Sequence, residues 1–284
     1  MRIDAHQHFW RIAERAGAWP PPTLASIHRD FGPQDLAPLL QAGGIDGTVL
    51  VQSMPSVAET RQLLELARAT TFVRGVVGWV DMKATDAVDT IAQLARDPLL
   101  KGLRPMLQDL EDDDWIADPA TAPAAEAMAR HGLVFDALVL PRQLGALRTF
   151  AARHPRLAVV VDHAAKPPIA RGQMQPWHDD LASLAALPQV HCKVSGLLTE
   201  AGERTRLEDL LPYVQTLWAC FGPSRLLWGS DWPVLRLAGD YPGWLAMTMA
   251  LLAAVQPVAS AGETAAILGG NAVSLYRLRA TPPC

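Results

Sequence analysis

Cysteine is scarce in this sequence. Three occur in 284 residues, Cys192, Cys220 and Cys284, odd in number and widely spaced. No C-x-x-C pairs any two of them, which argues against a disulfide framework and against a cysteine zinc site. Tyrosine and phenylalanine are also few, three and six, against nine tryptophans. An excess of either charge is missing too. The 25 basic and 29 acidic residues leave a net charge of −4, so no basic field exists for nucleic acid or an anionic membrane. No apolar run reaches the ~18 residues of a membrane span. The opening Met1-Arg-Ile-Asp-Ala-His lacks the apolar core of a signal peptide. A reducing, cytoplasmic location is therefore expected. Several motifs are absent as well. No G-x-G-x-x-G follows a strand, which weakens a dinucleotide-binding reading. Without a G-x-S-x-G elbow, Ser195 and Ser230 are poor nucleophiles. There is no P-loop, H-E-x-x-H or EF-hand spacing.

What is present is enough apolar content, 50% of residues, to bury a large core. Short β-branched runs recur along the whole chain, at Arg2–Ala5, Gly47–Gln52, Val73–Val80, Lys101–Met106, Leu133–Leu138, Leu157–Asp162, Val190–Ser195 and Arg225–Ser230. Segments with helical spacing lie between them, among them Glu59–Arg68, Ala87–Arg96, Thr121–Arg130, Pro141–His154 and Trp177–Ala186. Strands alternating with helices imply right-handed crossovers and a parallel sheet. Eight such units predict an α/β protein, a closed (β/α)₈ TIM-type barrel, better than an open doubly wound sheet. No linker or low-complexity run interrupts the rhythm, so residues 1–284 read as one domain. The proline-rich stretches Trp19-Pro-Pro-Pro22 and 164–176 read as long loops at the C-terminal ends of strands, where such barrels do their chemistry. The acidic run Asp109–Asp114 reads as a solvated loop.

Several polar residues fall at those strand ends. In Asp4-Ala-His-Gln-His8, strict alternation puts Asp4, His6 and His8 on one face and Ile3, Ala5 and Gln7 on the other. The outer face of a parallel barrel packs on helices, so the polar set is expected inside. Two imidazoles there suit a metal ion or a carbonyl, or form a hydrogen-bonded structural pair. Asp231 ends the eighth run and shares a face with Leu227 and Gly229; the bland alternative is a turn residue before Pro233. His163 ends the sixth run, sharing a face with Val159 and Val161, with Asp162 as a supporting or ion-pairing neighbour. His191 is expected to face inward with Lys193 and Ser195. Arg104 on the fourth run is a costly inward charge unless it binds an anion or sits in an internal salt bridge, and Lys166 and Lys193 share that ambiguity. Trp10, Trp79, Trp177, Trp232 and Trp244 suit sugar stacking, core packing or a water-excluding lid.

Together these segments resemble the amidohydrolase superfamily. Asp4-Ala-His-Gln-His-Phe-Trp10, Gly47-Thr-Val-Leu-Val-Gln52, Lys101-Gly-Leu-Arg-Pro105, Asp162-His-Ala-Ala-Lys-Pro167, Gly229-Ser-Asp-Trp-Pro233 and Gly270-Asn-Ala-Val-Ser-Leu-Tyr276 look like its sugar-lactonase branch, in order and over nearly the full chain. The resemblance implies hydrolysis of an aldono-1,4- or 1,5-lactone, with an L-fucono-lactone foremost. It assigns His6 and His8 to the first-strand H-x-H, His163 to the later barrel histidine and Asp231 to the strand-eight acid. Two-metal relatives carry a bridging carboxylated Lys or Glu where this chain has Arg104, and a histidine at the end of strand five, which is missing here. The implied chemistry is ester hydrolysis with an optional metal: Asp231 as general base, His6, His8 and His163 on the carbonyl, and at most one zinc on His6, His8, Asp231 and His163. Arg104, Lys166, Gln52, His28 and Trp232 are the candidates to hold substrate. The rival readings are a metal-dependent decarboxylase or hydratase of the same superfamily and a non-catalytic sugar-binding barrel.

Overall fold

The computed structural model describes residues 1–15 and 19–279; Cys284 lies outside them. Eight strands form one parallel sheet in sequential order: β1 Ile3–Gln7, β2 Gly47–Val51, β3 Val73–Gly78, β4 Leu100–Leu103, β5 Val134–Ala137, β6 Val159–Val161, β7 Val190–Val194 and β8 Leu226–Trp228. All eight expected strands are present. The ends of β1 and β8 join through His8 N–H to Trp232 O at 2.7 Å and Asp231 N–H to His6 O at 2.8 Å, which brings the sheet round into a barrel. The fold is a (β/α)₈ barrel.

Eight helices follow the strands: α1 Pro33–Gly43, α2 Val57–Arg68, α3 Ala87–Leu94, α4 Ala122–His131, α5 Leu144–Arg153, α6 Trp177–Ala185, α7 Leu207–Phe221 and α8 Tyr241–Ala254. Their starts carry local signals. The Ser56 side chain accepts from Glu59 N–H at α2, and Asp240 accepts from Gly243 N–H at α8, each satisfying a donor that the first turn leaves free. Among the described residues no helix is long and apolar enough to cross a membrane.

The apolar residues divide into two layers. Leu50, Val76, Leu103, Phe135, Val159 and Val161 point out to the helices. Ile3, Ala5, Val49, Val51, Val77, Val134, Val160 and Leu227 fill the barrel, joined by Ala272, Tyr276 and Leu278 of the C-terminal segment. This division corrects the expected faces of the first strand. Asp4 pairs with Thr48 but Gln7 pairs with Leu50, so three steps on β1 oppose two on β2. That extra residue is a β-bulge, and it resets the alternation. Ile3 and Ala5 therefore face inward. Asp4 faces outward, where Tyr241 of α8 donates to its Oδ2 at 3.1 Å. Beyond the bulge, Gln7 points out to Thr48 while His6 and His8 turn in.

The sixth strand departs similarly. Val159 and Val161 face the helices and Val160 the interior. The strand stops at Val161, and His163, Ala164, Ala165 and Lys166 then run at φ 51°, 52°, 58° and 52°. One turn of left-handed backbone thus carries His163 to the mouth, instead of a pleat shared with Val159 and Val161. Such residues cost roughly 1–2 kcal/mol each outside glycine, and their clustering marks a segment held by its surroundings. Trp177, fully buried, holds the turn by donating Nε1–H to Ala164 O at 2.7 Å.

Candidate active site

At the C-terminal ends of the strands, three imidazoles converge on one carboxylate oxygen. Asp231 Oδ1 lies 3.3 Å from His8 Nε2, 3.7 Å from His6 Nε2 and 3.7 Å from His163 Nε2. His6 Nε2 and His8 Nε2 are 3.2 Å apart. All four residues are buried. The opposite nitrogen of each ring is engaged. His8 Nδ1 donates to Val51 O at 2.7 Å, and His163 Nδ1 meets Ser195 Oγ at 2.9 Å. His6 Nδ1 lies between Lys193 Nζ and Asp162 Oδ1, at 3.2 and 3.4 Å.

Two glycines make room for this cluster. A Cβ on Gly229 would sit 2.7 Å from His6 Cβ, and one on Gly196 would sit 2.6 Å from His163 Nδ1. Gly196 also has φ +63°, a conformation that side chains resist. Gly196→Ala is expected to displace the His163 ring and lower kcat by at least about tenfold, since small misplacements are costly to catalysis. Steady-state kinetics beside a melting curve checks this; an unchanged kcat would show that the ring position is not critical.

Asp4 anchors the loop that carries Asp231. It accepts from Ser230 N–H at 2.8 Å, Ser230 Oγ–H at 2.6 Å and Tyr241 O–H at 3.1 Å. Burial nevertheless pushes its carboxyl up to about 6. Asp231 itself has φ 57°, a region that Asp and Asn tolerate better than most residues.

The electrostatics favour neutral His6 and His163 beside an ionised acid. Burial raises the Asp231 carboxyl, but the facing rings of His163, His8 and His6 outweigh it, leaving it well below the usual carboxylate range. Burial drives His163 down to about 4 against the opposing pull of Asp231 and Asp162. Burial, reinforced by Lys193 and His163, holds His6 well below its ordinary value despite Asp162.

Beneath the histidines lies a buried charge network. Lys193 Nζ contacts Asp136 Oδ2 at 2.6 Å and Asp162 Oδ1 at 2.9 Å, and Tyr276 O–H donates to Asp136 Oδ2 at 2.7 Å. Arg104 Nη1 lies 3.5 Å from Asp162 and 3.4 Å from His6 Nε2, and Arg104 Nη2 donates to Gln52 O. The ambiguity over Arg104 and Lys193 thus resolves as internal ion pairing directly behind the site, with Asp162 as the shared partner. Asp136 and Tyr276 escaped the sequence reading.

The remaining candidates lie around this centre. Gln52 is fully buried, donating to Arg104 O at 2.6 Å, with its Oε1 unpartnered. Lys166 pairs with Glu200 at 3.2 Å, and His28 Nδ1 bonds to Pro20 O at 2.9 Å. The structure brings neither into direct contact with Asp231. Trp232 is buried against Phe9 and Phe31, at ring distances of 6.0 and 5.2 Å. His191 lies at the N-terminal end of β7, opposite to Ser195, and bonds to Gln189 O at 3.3 Å. The acidic loop is exposed, as expected, with Asp113 paired to Arg142 at 2.6 Å.

The donor set fits one divalent cation. Among the described residues, the His6, His163 and Asp231 ligand atoms all lie within 4.8 Å of one another. These three belong to the four expected, His6, His8, His163 and Asp231, and His8 adjoins them through His6 and Asp231. Because Val51 O can only accept, a neutral His8 directs its Nε2 lone pair at Asp231, and two such acceptors 3.3 Å apart favour a positive centre between them.

Residues 3–278 match the amidohydrolase family, and the chain belongs to it. It is 56% identical over 281 residues to an L-fucono-1,5-lactonase of Burkholderia ambifaria, covering 98% of this chain and 96% of that protein. A second L-fucono-1,5-lactonase, from Burkholderia multivorans, is 37% identical over 98% of this chain and 96% of its own length. The crystal structure of an amidohydrolase from Burkholderia multivorans with bound zinc superposes with a TM-score of 0.91 at 36% identity, covering 98% of this chain and all of that one.

Proposed function

We propose that this protein, over residues 1–284 as one domain, is a lactonase that hydrolyses sugar lactones, with L-fucono-1,5-lactone as its substrate. The observation that carries the chemistry is the convergence of three imidazole Nε2 atoms on an ionised, buried Asp231. The substrate follows from the 56% identity to the Burkholderia ambifaria enzyme.

Asp231 accepts a proton from water as the oxygen attacks the lactone carbonyl carbon. The carbonyl oxygen then carries negative charge. His163 stabilises it: with Ser195 donating to Nδ1, the neutral ring presents Nε2–H. His8 is placed differently, because its Nδ1–H is committed to Val51 O and its Nε2 faces His6 and Asp231. His8 therefore orients its neighbours, a revision of the equal roles first expected for the three histidines. Arg104 adds a permanent positive charge beside His6. Collapse of the tetrahedral intermediate breaks the bond to the ring oxygen, which takes its proton from Asp231. One water is consumed, and a hydroxy acid leaves.

His6, His163 and Asp231, with His8 adjoining, would hold a single zinc ion, which supplies Lewis acidity toward a carbonyl oxygen when bound. Arg104 and Lys193 occupy the inner side with fixed positive charge, which opposes a second divalent ion. Unit charges ~4 Å apart already interact by ~4 kcal/mol at an effective dielectric of ~20.

A panel of aldonolactones, assayed by acid release with and without chelator, tests this reading. L-fucono-1,5-lactone is expected to turn over fastest, and substantial activity to survive chelation. Elemental analysis should find at most one metal per chain. Two tightly held ions, with activity abolished by chelator and restored by Zn²⁺, would overturn the optional role. Failure to open any lactone would overturn the function.

A further inference from the structure

Two loops meet behind His163, and two contacts tie them together. From His163 the left-handed turn runs to Lys166, whose backbone N–H donates to His163 O at 2.8 Å. Ser195 Oγ meets His163 Nδ1 at 2.9 Å. Past it the chain turns at Gly196, whose carbonyl accepts from Thr199 Oγ1 at 2.8 Å, and so reaches Glu200. Lys166 Nζ and Glu200 Oε1 then meet at 3.2 Å. His163 and Ser195 are buried, whereas the Lys166 and Glu200 side chains are 23% and 26% exposed. The ion pair therefore stands nearer the solvent along the same seam. Its charge reaches the site, because Lys166 is among the cations that hold His163 down.

Two other cations beside the histidines are committed. Arg104 lies 3.5 Å from Asp162, and Lys193 lies 2.6 Å from Asp136 and 2.9 Å from Asp162, in pairs no more than 3% exposed. Neither can turn to a ligand without stranding a buried carboxylate, which is costly. Lys166 differs. A pair as exposed as Lys166–Glu200 adds little to stability, so its ammonium is open to a ligand. Glu200 decides what kind. An ammonium only donates, a carboxylate only accepts, and a hydroxyl does both. A lactone hydroxyl can thus accept from Lys166 and donate to Glu200. A carboxylate on the lactone would accept from Lys166 but face the like charge of Glu200 with no proton to give.

We propose that Glu200 is a specificity-determining residue: paired with Lys166 beside His163, it limits the site to lactones with uncharged substituents and excludes those that carry a carboxylate. This deepens the lactonase reading, on which it rests, by naming the charge class of the substrate. The selection works by repulsion as well as by occupation of the ammonium. Removing the Glu200 charge leaves Lys166 a free cation beside the site.

Calorimetric titration of the full chain carrying Asp231→Asn, treated with chelator, tests this. That background opens lactones too slowly to disturb the titration and holds no metal to capture a carboxylate. The probes are D-glucono-1,4-lactone and D-glucaro-1,4-lactone, which differ in that the terminal hydroxymethyl group of the first is a carboxylate in the second. Adding Glu200→Gln should tighten binding of the glucarolactone by at least about tenfold and change that of the gluconolactone by less than about threefold, since like charges no longer face each other. Further addition of Lys166→Met should abolish the gain. An unchanged affinity for the glucarolactone, no measurable binding of it to the Glu200→Gln chain, an equal gain for both lactones, or a gain that survives Lys166→Met would each overturn the proposal. Glutamine keeps the volume at a partly exposed position, and a melting curve for each variant checks the fold. The readout is binding and not turnover, so failure here is distinct from failure of the lactonase reading, which the aldonolactone panel decides.

Discussion

Asp231→Asn should lower kcat by about 10² to 10⁴, the usual contribution of a positioned general base. Three features make this substitution clean. Asn is nearly isosteric with Asp. It also tolerates the left-handed backbone at φ 57° that position 231 adopts. The backbone N–H that bonds to His6 O at 2.8 Å is untouched, so the β1–β8 closure remains. What disappears is the ability to accept a proton from water. Melting temperature should therefore move little while turnover collapses. The acid limb of the wild-type rate profile has a related signature. The Asp231 carboxyl lies well below the usual carboxylate range, so mild acid does not protonate it. His163, which stabilises the carbonyl oxygen, takes up a proton at about 4. Turnover of the wild type should hold as pH falls to about 5 and decline below that, provided chemistry limits the rate. Turnover by Asp231→Asn within tenfold of wild type would reject Asp231 as the base.

Much of this architecture was legible because parallel strands buried on both faces read as continuous β-branched runs. Val73–Gly78 and Val190–Val194 could be recognised without knowing their partners. The direction of side chains was less legible, because it was inferred from strict alternation. Leu227, Gly229 and Asp231 do face the interior, although β8 ends at Trp228 and Asp231 has left-handed backbone of its own. Alternation failed at β1, where one extra residue between Asp4 and Gln7 sends Asp4 outward to Tyr241. It failed again after Val161, where left-handed backbone aims His163. Neither irregularity has a local glycine to announce it. The network behind the histidines was harder still. Tyr276 reaches Asp136 across 140 residues, and only the closed barrel brings them together. Lys193 stood out as a charge on an apolar strand, but its partners lie on β5 and just past the end of β6, beyond any sequence window.

That network carries the largest expected effect on stability. Lys193→Met is expected to destabilise the protein by about 3–5 kcal/mol, the usual cost of removing one partner from a buried ion pair. For a chain of this size the melting temperature should fall by roughly 6 to 12 °C. The cause is the Asp136 and Asp162 carboxylates left behind, not the lost contact area, since methionine nearly fills the lysine volume. Asp162 keeps Arg104 at 3.5 Å, while Asp136 keeps only the Tyr276 hydroxyl. The loss should therefore depend on pH. Burial already raises the Asp136 carboxyl to about 6, against the lowering pull of Lys193. Without the ammonium it rises further, so the folded variant binds this proton more tightly than the unfolded chain. A group of that kind loses stability as pH rises. The deficit relative to wild type should grow above about pH 6, where the native carboxyl ionises beside Lys193 and the variant's does not, and be smallest in mild acid. Adding Asp136→Asn removes the stranded charge, so the double variant should recover more than half of the loss and lose most of its pH dependence. Thermal melts of the two single variants and the double at pH 5 and 8 measure the coupling. Simple additivity, with a deficit equal at both pH values, would mean that Lys193 acts by packing and not as the counter-charge of Asp136.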